Sequence, residues 1–544
     1  MRSLFDLGQT MRDGVRLSAD VYLPEAEDAV PAILMRTPYD NTRADYVALA
    51  RFFTTVGYAV VLQDCRGRGD SDGIFVPWLS DFDDGYDAVE WVAAQQWCNG
   101  QVGMLGGSYL AWAQWAALTQ RPPHLVTMVT SGSPGRWLRD WPFRWGAFWA
   151  EDYVEWVNRC SGRSYQPATI IDWSVVHHQR VPREMDAVLG RPMPHWQEVL
   201  DHPTMDAFWE RHVITGYETF DLPVLHITGW FDACAPGELH HFREMVTKSP
   251  AAERQTLLLG AWDHGGACGT GKAVAGEFDL GPDATIDIRQ VWLDWFDTWL
   301  RTGAKPSQDW PRVRYYAMGA NRWSDADAWP PSASTRQSLY LSNTDARLLP
   351  TPPSESVEVR YAYDPNDPTP ALDGLTADPL PEWAPRSTTF LEGRPDTVVY
   401  TSDPFTEALE IVGPVHLILY ASSDAPDTDF AALLSDVAPM GTATLLSHGI
   451  LRASFRESLS NPTPLARDKI HELTIELADI AHVVLPGHRL RLLVLSSLFP
   501  YYHPNPNTGD LYGDETENRR VVANQIVWSG EVHPSRLEFL LKPS

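Results

Sequence analysis

At 544 residues the chain is too long for one hydrophobic core, so two or three domains are expected. Hydrophobic residues make up 44% and charged residues 21%, the balance of a soluble globular protein. Acidic residues outnumber basic ones 71 to 43, a net charge of −28, which excludes the basic face that a nucleic-acid binder presents to phosphates. The opening stretch MRSLFDLGQTMRDGVRL is interrupted by Asp6, Arg12 and Asp13 before any leader-like apolar segment forms, and no run of about 18 apolar residues suggests a membrane span. Cys65, Cys98, Cys160, Cys234 and Cys268 form no CxxC pair and are odd in number, so a reducing, cytoplasmic setting is expected.

From Ser18 to about Thr130, strand-like runs (AILMRTPY, YAVVLQDCRG, VGMLGG, LVTMVTSG) alternate with helical patterns. This alternation predicts a largely parallel sheet covered on both faces. From about Pro134 to Thr219 the strand signal lapses and eight tryptophans gather. Trp141, Trp145 and Trp149 are spaced by four and Pro142 suits a first helical turn, so a helix is expected there. These tryptophans read first as the core of a helical insert; the sharper reading places some of them on an apolar substrate pocket. The sheet pattern resumes with LPVLHITGW and TLLLGAWDHG, followed by an amphipathic helix near Ile286 to Leu300. From about Gln337 onward short strands (SLYLSN, VEVRYAYD, DTVVYTS, VHLILYASS, LRLLVLSS, RLEFLL) alternate with turns, predicting an antiparallel sandwich of jelly-roll size. RYAYDPNDPTPALDG reads as a proline-rich loop within it. The expected division is a core over 1–134 and 220–336, a helical cap over 135–219, and the all-β domain over 337–544.

The stretch LGGSYLAWAQWAALTQ places Ser108 between two glycines and a helical run, the layout of a nucleophile elbow. A serine hydroxyl needs a base, usually histidine oriented by a carboxylate, and in parallel-sheet hydrolases these follow in the order Ser, Asp/Glu, His. Asp232 lies just past VLHIT, and His264 lies at the matching position after TLLLG. Asp263 is a rival, but neighbours in extended loops point apart. His240 and His241 fall on the following helix, His177 and His178 in the cap. No HExxH or paired Cys/His spacing appears, so neither a catalytic metal nor a cofactor is expected. The backbone N–H of Tyr109, at a helix start, is the first oxyanion donor expected. ILMRTPYDNTR lacks the glycines whose amides often supply the second, and Tyr39 stands in their place with a phenolic O–H.

PYDNTR, QDCRGRGDSDG, DGYDAVEWVAAQQW, GGSYLA, GWFDA and GAWDHG, in this order over the first 330 residues, resemble the cocaine esterase-like branch of serine hydrolases. That group includes α-amino acid ester hydrolases and is related to X-prolyl dipeptidyl peptidases. VRYYAMGANRW, SDPF and LPGHRLRLLVLSS extend the likeness nearly to the C-terminus. The resemblance implies an α/β-hydrolase core, a helical cap inserted after its sixth strand and a C-terminal jelly roll, with substrate bound where the three meet. It also implies Ser108, Asp232 and His264 as the triad, with the Tyr39 hydroxyl and the Tyr109 amide as the oxyanion hole. Two departures stand out: Ala111 where many relatives have glycine, and uncharged Ala233, Cys234 and Ala235 where α-amino acid ester hydrolases carry acids. Selectivity for α-amino esters by that route is therefore not expected, and cap acids such as Glu151 or Asp152 are the candidates to supply such charges instead.

The expected activity is hydrolysis of small or medium carboxylic esters through an acyl-enzyme, with a small-molecule ester as partner. Trp141, Trp145, Trp149 and Phe231 are the expected substrate contacts. An amidase, acylase or X-prolyl dipeptidyl peptidase would use the same triad, and a non-catalytic binding protein built on the jelly roll is the alternative from another class. The RGD triplet Arg68–Asp70 reads as a turn beside the site rather than an integrin ligand. Oligomeric state is left open, a homo-oligomer being compatible with the sequence.

Overall fold

The computed structural model describes residues 1–543 apart from 26–27, 167, 179–180, 303–310, 372–384 and 513–518. The first apolar runs become β1 (Arg2–Thr10), β2 (Arg16–Leu23), β3 (Val30–Thr37), β4 (Ala59–Asp64), β5 (Cys98–Gly107) and β6 (Leu125–Ser131), with helices α1 (Ala44–Thr55), α2 (Asp81–Ala93) and α3 (Tyr109–Thr119) between them. After an excursion of more than 90 residues the same sheet continues with β9 (Val224–Phe231), β10 (Gln255–Asp263), β11 (Val313–Ala317) and β12 (Arg322–Ala326), accompanied by α9 (Ala235–Lys248) and α10 (Ile288–Phe296). The strand order is β1-β2-β4-β3-β5-β6-β9-β10-β11-β12. From β4 to β11 neighbours run parallel, and antiparallel pairs finish both edges. Every residue of β4 and β9 is buried, because helices cover both faces of a parallel sheet; this is why those strands read as mostly apolar runs. α3 is buried from Tyr109 to Leu118, so it is apolar all round instead of amphipathic.

The excursion forms a cap over the carboxyl ends of the strands. It holds α4 (Ala150–Cys160), α5 (Trp173–His177), α6 (Met185–Val188), α7 (Pro194–Asp201) and α8 (Ala207–Glu210), preceded by a hairpin of β7 (Phe143–Arg144) and β8 (Ala147–Phe148). The hairpin corrects the helix expected around Trp141, Trp145 and Trp149. Trp145 and Gly146 both have positive φ, +45° and +81°, as a two-residue turn between twisted strands requires, and the helix begins only at Ala150. A glycine four residues after Pro142 outweighed the spacing of the tryptophans.

Beyond Thr335 the chain forms a second sheet of eleven strands among the described residues, nearly all antiparallel, in which the long strand Leu409–Ser423 pairs with His471–Val484. This is the all-β, jelly-roll-type domain; the core is an α/β-hydrolase sheet. The stretch RYAYDPNDPTPALDG begins in a strand, Val357–Tyr363, and its last three residues lie outside the described ones. Two backbone bonds, Met318 N–H to the Ala481 carbonyl (3.0 Å) and Val483 N–H to the Met318 carbonyl (2.8 Å), weld the end of β11 to this domain. The cap meets it through Arg139 with Glu476 and through the Phe148 N–H donating to the Tyr512 hydroxyl at 2.8 Å.

Candidate active site

β5 ends at Gly107, and α3 starts at Tyr109, so one residue makes the whole turn. Ser108 sits there at φ 59°, ψ −127°, a conformation that is strained for any residue with a Cβ. Its N–H donates to the Ser131 carbonyl at 2.8 Å, and its carbonyl accepts from Ala111 and Trp112, so strand and helix clamp it from both sides. Glycine is required beside it. A Cβ on Gly106 would lie 2.3 Å from the Leu110 Cβ, and one on Gly107 would lie 2.5 Å from the Cys268 Cβ.

Two places along the sheet, β9 delivers Asp232. The carboxylate is buried and fully engaged: Oδ2 accepts from the Thr228 hydroxyl at 2.9 Å, while Oδ1 accepts from the Cys234 N–H at 2.8 Å and faces His264 Nδ1 at 2.7 Å. Gly132, at φ 53°, lets the backbone pass behind it; a Cβ there would be 2.4 Å from Oδ2. His264 follows β10, the next strand, and its side chain keeps 32% exposure. Burial opposes a charge on this ring, yet its pKa is held well above the ordinary histidine value by Cys268 and Asp232. The lasting cause at neutral pH is Asp232, because burial also raises the Cys268 thiol pKa and keeps that group neutral. Three strands distant in sequence, β5, β9 and β10, thus end at the same edge of the sheet, the edge where open α/β sheets hold their ligands.

Tyr39 arrives from the end of β3, beside β5. Its phenolic oxygen accepts from Trp156 Nε1 at 2.9 Å and is in hydrogen-bonding contact with the Ser108 hydroxyl. Burial raises the phenol pKa far above its usual value, so the O–H keeps its proton and stays a donor. Tyr109 contributes only backbone toward the serine; its own phenol runs the other way, donating to Asp81 Oδ2 at 2.5 Å.

Ser108, Tyr39 and His264 share one cavity of about 650 Å³. Trp141, Trp149 and Phe231 line it too, together with Trp78 and Trp156. Trp145 is the exception among the expected substrate contacts. Its indole donates to Glu476 Oε2 at 3.0 Å, lies under the Arg139 guanidinium and packs into the all-β domain, because the hairpin turn points it outward. The walls come from core and cap. The all-β domain stands one layer behind, where Tyr502 packs on Trp149 and Leu445 and His448 approach Asp232 across a small cleft. Glu151 also faces the cavity, and burial followed by the neighbouring Asp152 and Glu155 raises its carboxyl pKa well above normal, which favours its uncharged form. Asp152 accepts from Trp141 Nε1 at 2.7 Å.

The rival residues have other partners. Asp263 Oδ1 accepts from the Gly266 N–H at 2.6 Å. His241 is buried between the Tyr217 hydroxyl and the Pro134 carbonyl. Arg68 of the RGD triplet is fully buried, donating to the carbonyls of Pro38 and Cys160, which ties the Tyr39 loop to α4 and rules out an exposed recognition motif. Sequence reasoning missed Trp78, Trp156, Cys234 and Cys268 at the site. Cys234 and Cys268 stand two and four positions from Asp232 and His264, a proximity that could have flagged them; nothing in the sequence signals Trp156.

Residues 13–266 match the X-Pro dipeptidyl-peptidase (S15 family), and residues 307–538 match the X-Pro dipeptidyl-peptidase C-terminal non-catalytic domain. The cocaine esterase of Rhodococcus sp. (strain MB1 Bresler) is 32% identical, the match covering 97% of this chain and 96% of that protein. The chain belongs to the cocaine esterase-like family of serine hydrolases. Two solved structures superpose over 99% of it: an aminopeptidase from the marine sediment archaeon Thaumarchaeota archaeon (TM-score 0.90, 26% identity, 97% of that chain) and an α-amino acid ester hydrolase (TM-score 0.88, 27% identity, 96% of that chain). Among the described residues no helix is long and apolar enough to cross a membrane.

Proposed function

We propose that the protein hydrolyses carboxylic esters by acyl transfer, with Ser108 as nucleophile, His264 as base and Asp232 as its orienting carboxylate. The 2.7 Å contact between His264 Nδ1 and Asp232 carries this reading. It holds the Nδ1–H tautomer, leaving Nε2 unprotonated to accept the serine proton and return it to the leaving alcohol. The negative oxygen of the tetrahedral intermediate is received by the Tyr39 hydroxyl, kept as a donor by its burial, and by the Tyr109 N–H at the start of α3. Water then takes the alcohol's place and releases the acid.

The cavity suits a medium-sized, uncharged acyl group. Its volume lies within the range of about 300–1,000 Å³ typical of small-molecule sites, its walls are rich in indole, and burial favours the uncharged form of Glu151. Esters rank above amides, although the likeness to an aminopeptidase gives amide cleavage a place in the test. A fluorophosphonate probe labels Ser108 stoichiometrically, and Ser108→Ala abolishes labelling and lowers kcat by about 10⁴-fold or more. A screen over esters of graded acyl size, each with its matched anilide, then reads substrate class. Near-normal turnover by Ser108→Ala refutes the mechanism.

A further inference from the structure

Two cysteines absent from the mechanism stand on either side of its base. We infer that Asp232, Cys234, His264 and Cys268 form an inhibitory site for a thiophilic divalent cation such as Zn²⁺. One donor atom from each of Asp232, Cys234 and His264 lies within 4.8 Å of the other two. The Cys268 sulfur is 3.8 Å from both ring nitrogens of His264, which places a fourth donor at the edge of the group. Thiolate, imidazole and carboxylate are the ligand types that tetrahedral zinc takes, at about 2.0–2.3 Å, so its ligand atoms stand about 3.3–3.8 Å apart. The contact of Cys268 with His264 already has that length. The Asp232 oxygen and His264 Nδ1, 2.7 Å apart, open by about 0.6 Å where the ion takes that nitrogen, while Cys234 and Cys268, which line the cavity, close in by side-chain rotation. His264, Cys234 and Cys268 all line that cavity, so an ion reaches them by the substrate's route. No sequence motif announces the set, since its members come from two loops about 30 residues apart and are joined only by the pairing of β9 with β10.

Coordination displaces a proton from each thiol that binds, and the protons pass to solvent. It blocks catalysis whichever ring nitrogen the ion takes. At Nε2 it occupies the lone pair that must receive the serine proton; at Nδ1 it displaces the ring's single proton from the Asp232 contact, and the neutral ring then carries that proton on Nε2, which can no longer accept one from the serine. The effect on turnover rests on the proposed role of His264, whereas binding does not.

The test separates the two. Cobalt(II) alone, added to the chelator-treated, unsubstituted protein, is expected to bind at one equivalent and give a thiolate-to-cobalt charge-transfer band with intense tetrahedral d–d absorption. Zn²⁺ is expected to displace it. In the Cys234→Ser/Cys268→Ser double variant the charge-transfer band disappears. In parallel, about 10 µM Zn²⁺ lowers ester turnover about tenfold, as for a dissociation constant near 1 µM, EDTA restores it, and the double variant needs at least tenfold more zinc for the same loss. A protein without the cobalt band overturns the site, as does a band unchanged in the double variant. Binding that leaves turnover intact, or inhibition with the same midpoint in both proteins, overturns its inhibitory role. A cobalt band in a protein with no esterase activity leaves the site standing and fails only the proposed function.

Discussion

Replacing Asp232 by asparagine isolates the charge of the orienting carboxylate, because the surrounding donors dictate how the amide must lie. Oδ1 receives the Cys234 N–H at 2.8 Å as well as His264 Nδ1 at 2.7 Å, and a backbone N–H can only donate. The asparagine oxygen is therefore pinned at the Oδ1 position. Its NH₂ falls on the Thr228 hydroxyl, which can rotate to accept. His264 keeps its proton on Nδ1, and only the attraction between carboxylate and imidazolium is lost. Opposite charges about 4 Å apart at an effective dielectric near 20 attract by about 4 kcal/mol, which is about three decades in rate. The expected kcat loss in Asp232→Asn is about 10³-fold, below the loss of about 10⁴-fold seen where such a substitution inverts the tautomer. The pH profile of kcat/KM on a p-nitrophenyl ester supplies the second readout, since removing the anion lowers the His264 pKa and moves the acid limb to lower pH. A loss of 10⁴-fold or more with the limb unmoved refutes the pinned amide. A loss under tenfold refutes the role of the charge.

In the unsubstituted enzyme the same limb lies alkaline of the ordinary histidine pKa of about 6.5: the raised His264 pKa keeps the ring protonated further up the scale, and activity is lost as pH falls through it. Profiles recorded with EDTA present check this. Tyr39→Phe, which removes one oxyanion donor, lowers kcat by about 10²–10³-fold with little change in KM, as steady-state kinetics reads. Trp141→Ala widens the acyl preference measured over graded esters, whereas Trp145→Ala leaves that preference alone and lowers the thermal midpoint through its lost contacts with Glu476 and Arg139.

Local physics made the core legible from the sequence. The elbow could be read because two glycines beside Ser108 are demanded by contacts as close as 2.3 Å, and the ends of β9 and β10 because strands buried on both faces are mostly apolar. Periodicity misled in the cap, where spacing by four matched a helix while Gly146 turned the chain into a hairpin.

The amino-acid sequence by itself determined the alternation of strand and helix, the sharp turn at Ser108, and the order in which serine, aspartate and histidine follow one another, since each depends on residues a few positions apart. Only the tertiary structure decided that Tyr39 meets Ser108 and Trp156, that Trp145 leaves the cavity that Trp141 and Trp149 enter, and that Cys234 and Cys268 flank His264. Those relations are set by which strands lie side by side and how the cap settles on them. They sum many weak packing contacts between distant segments, and no short window of sequence contains them.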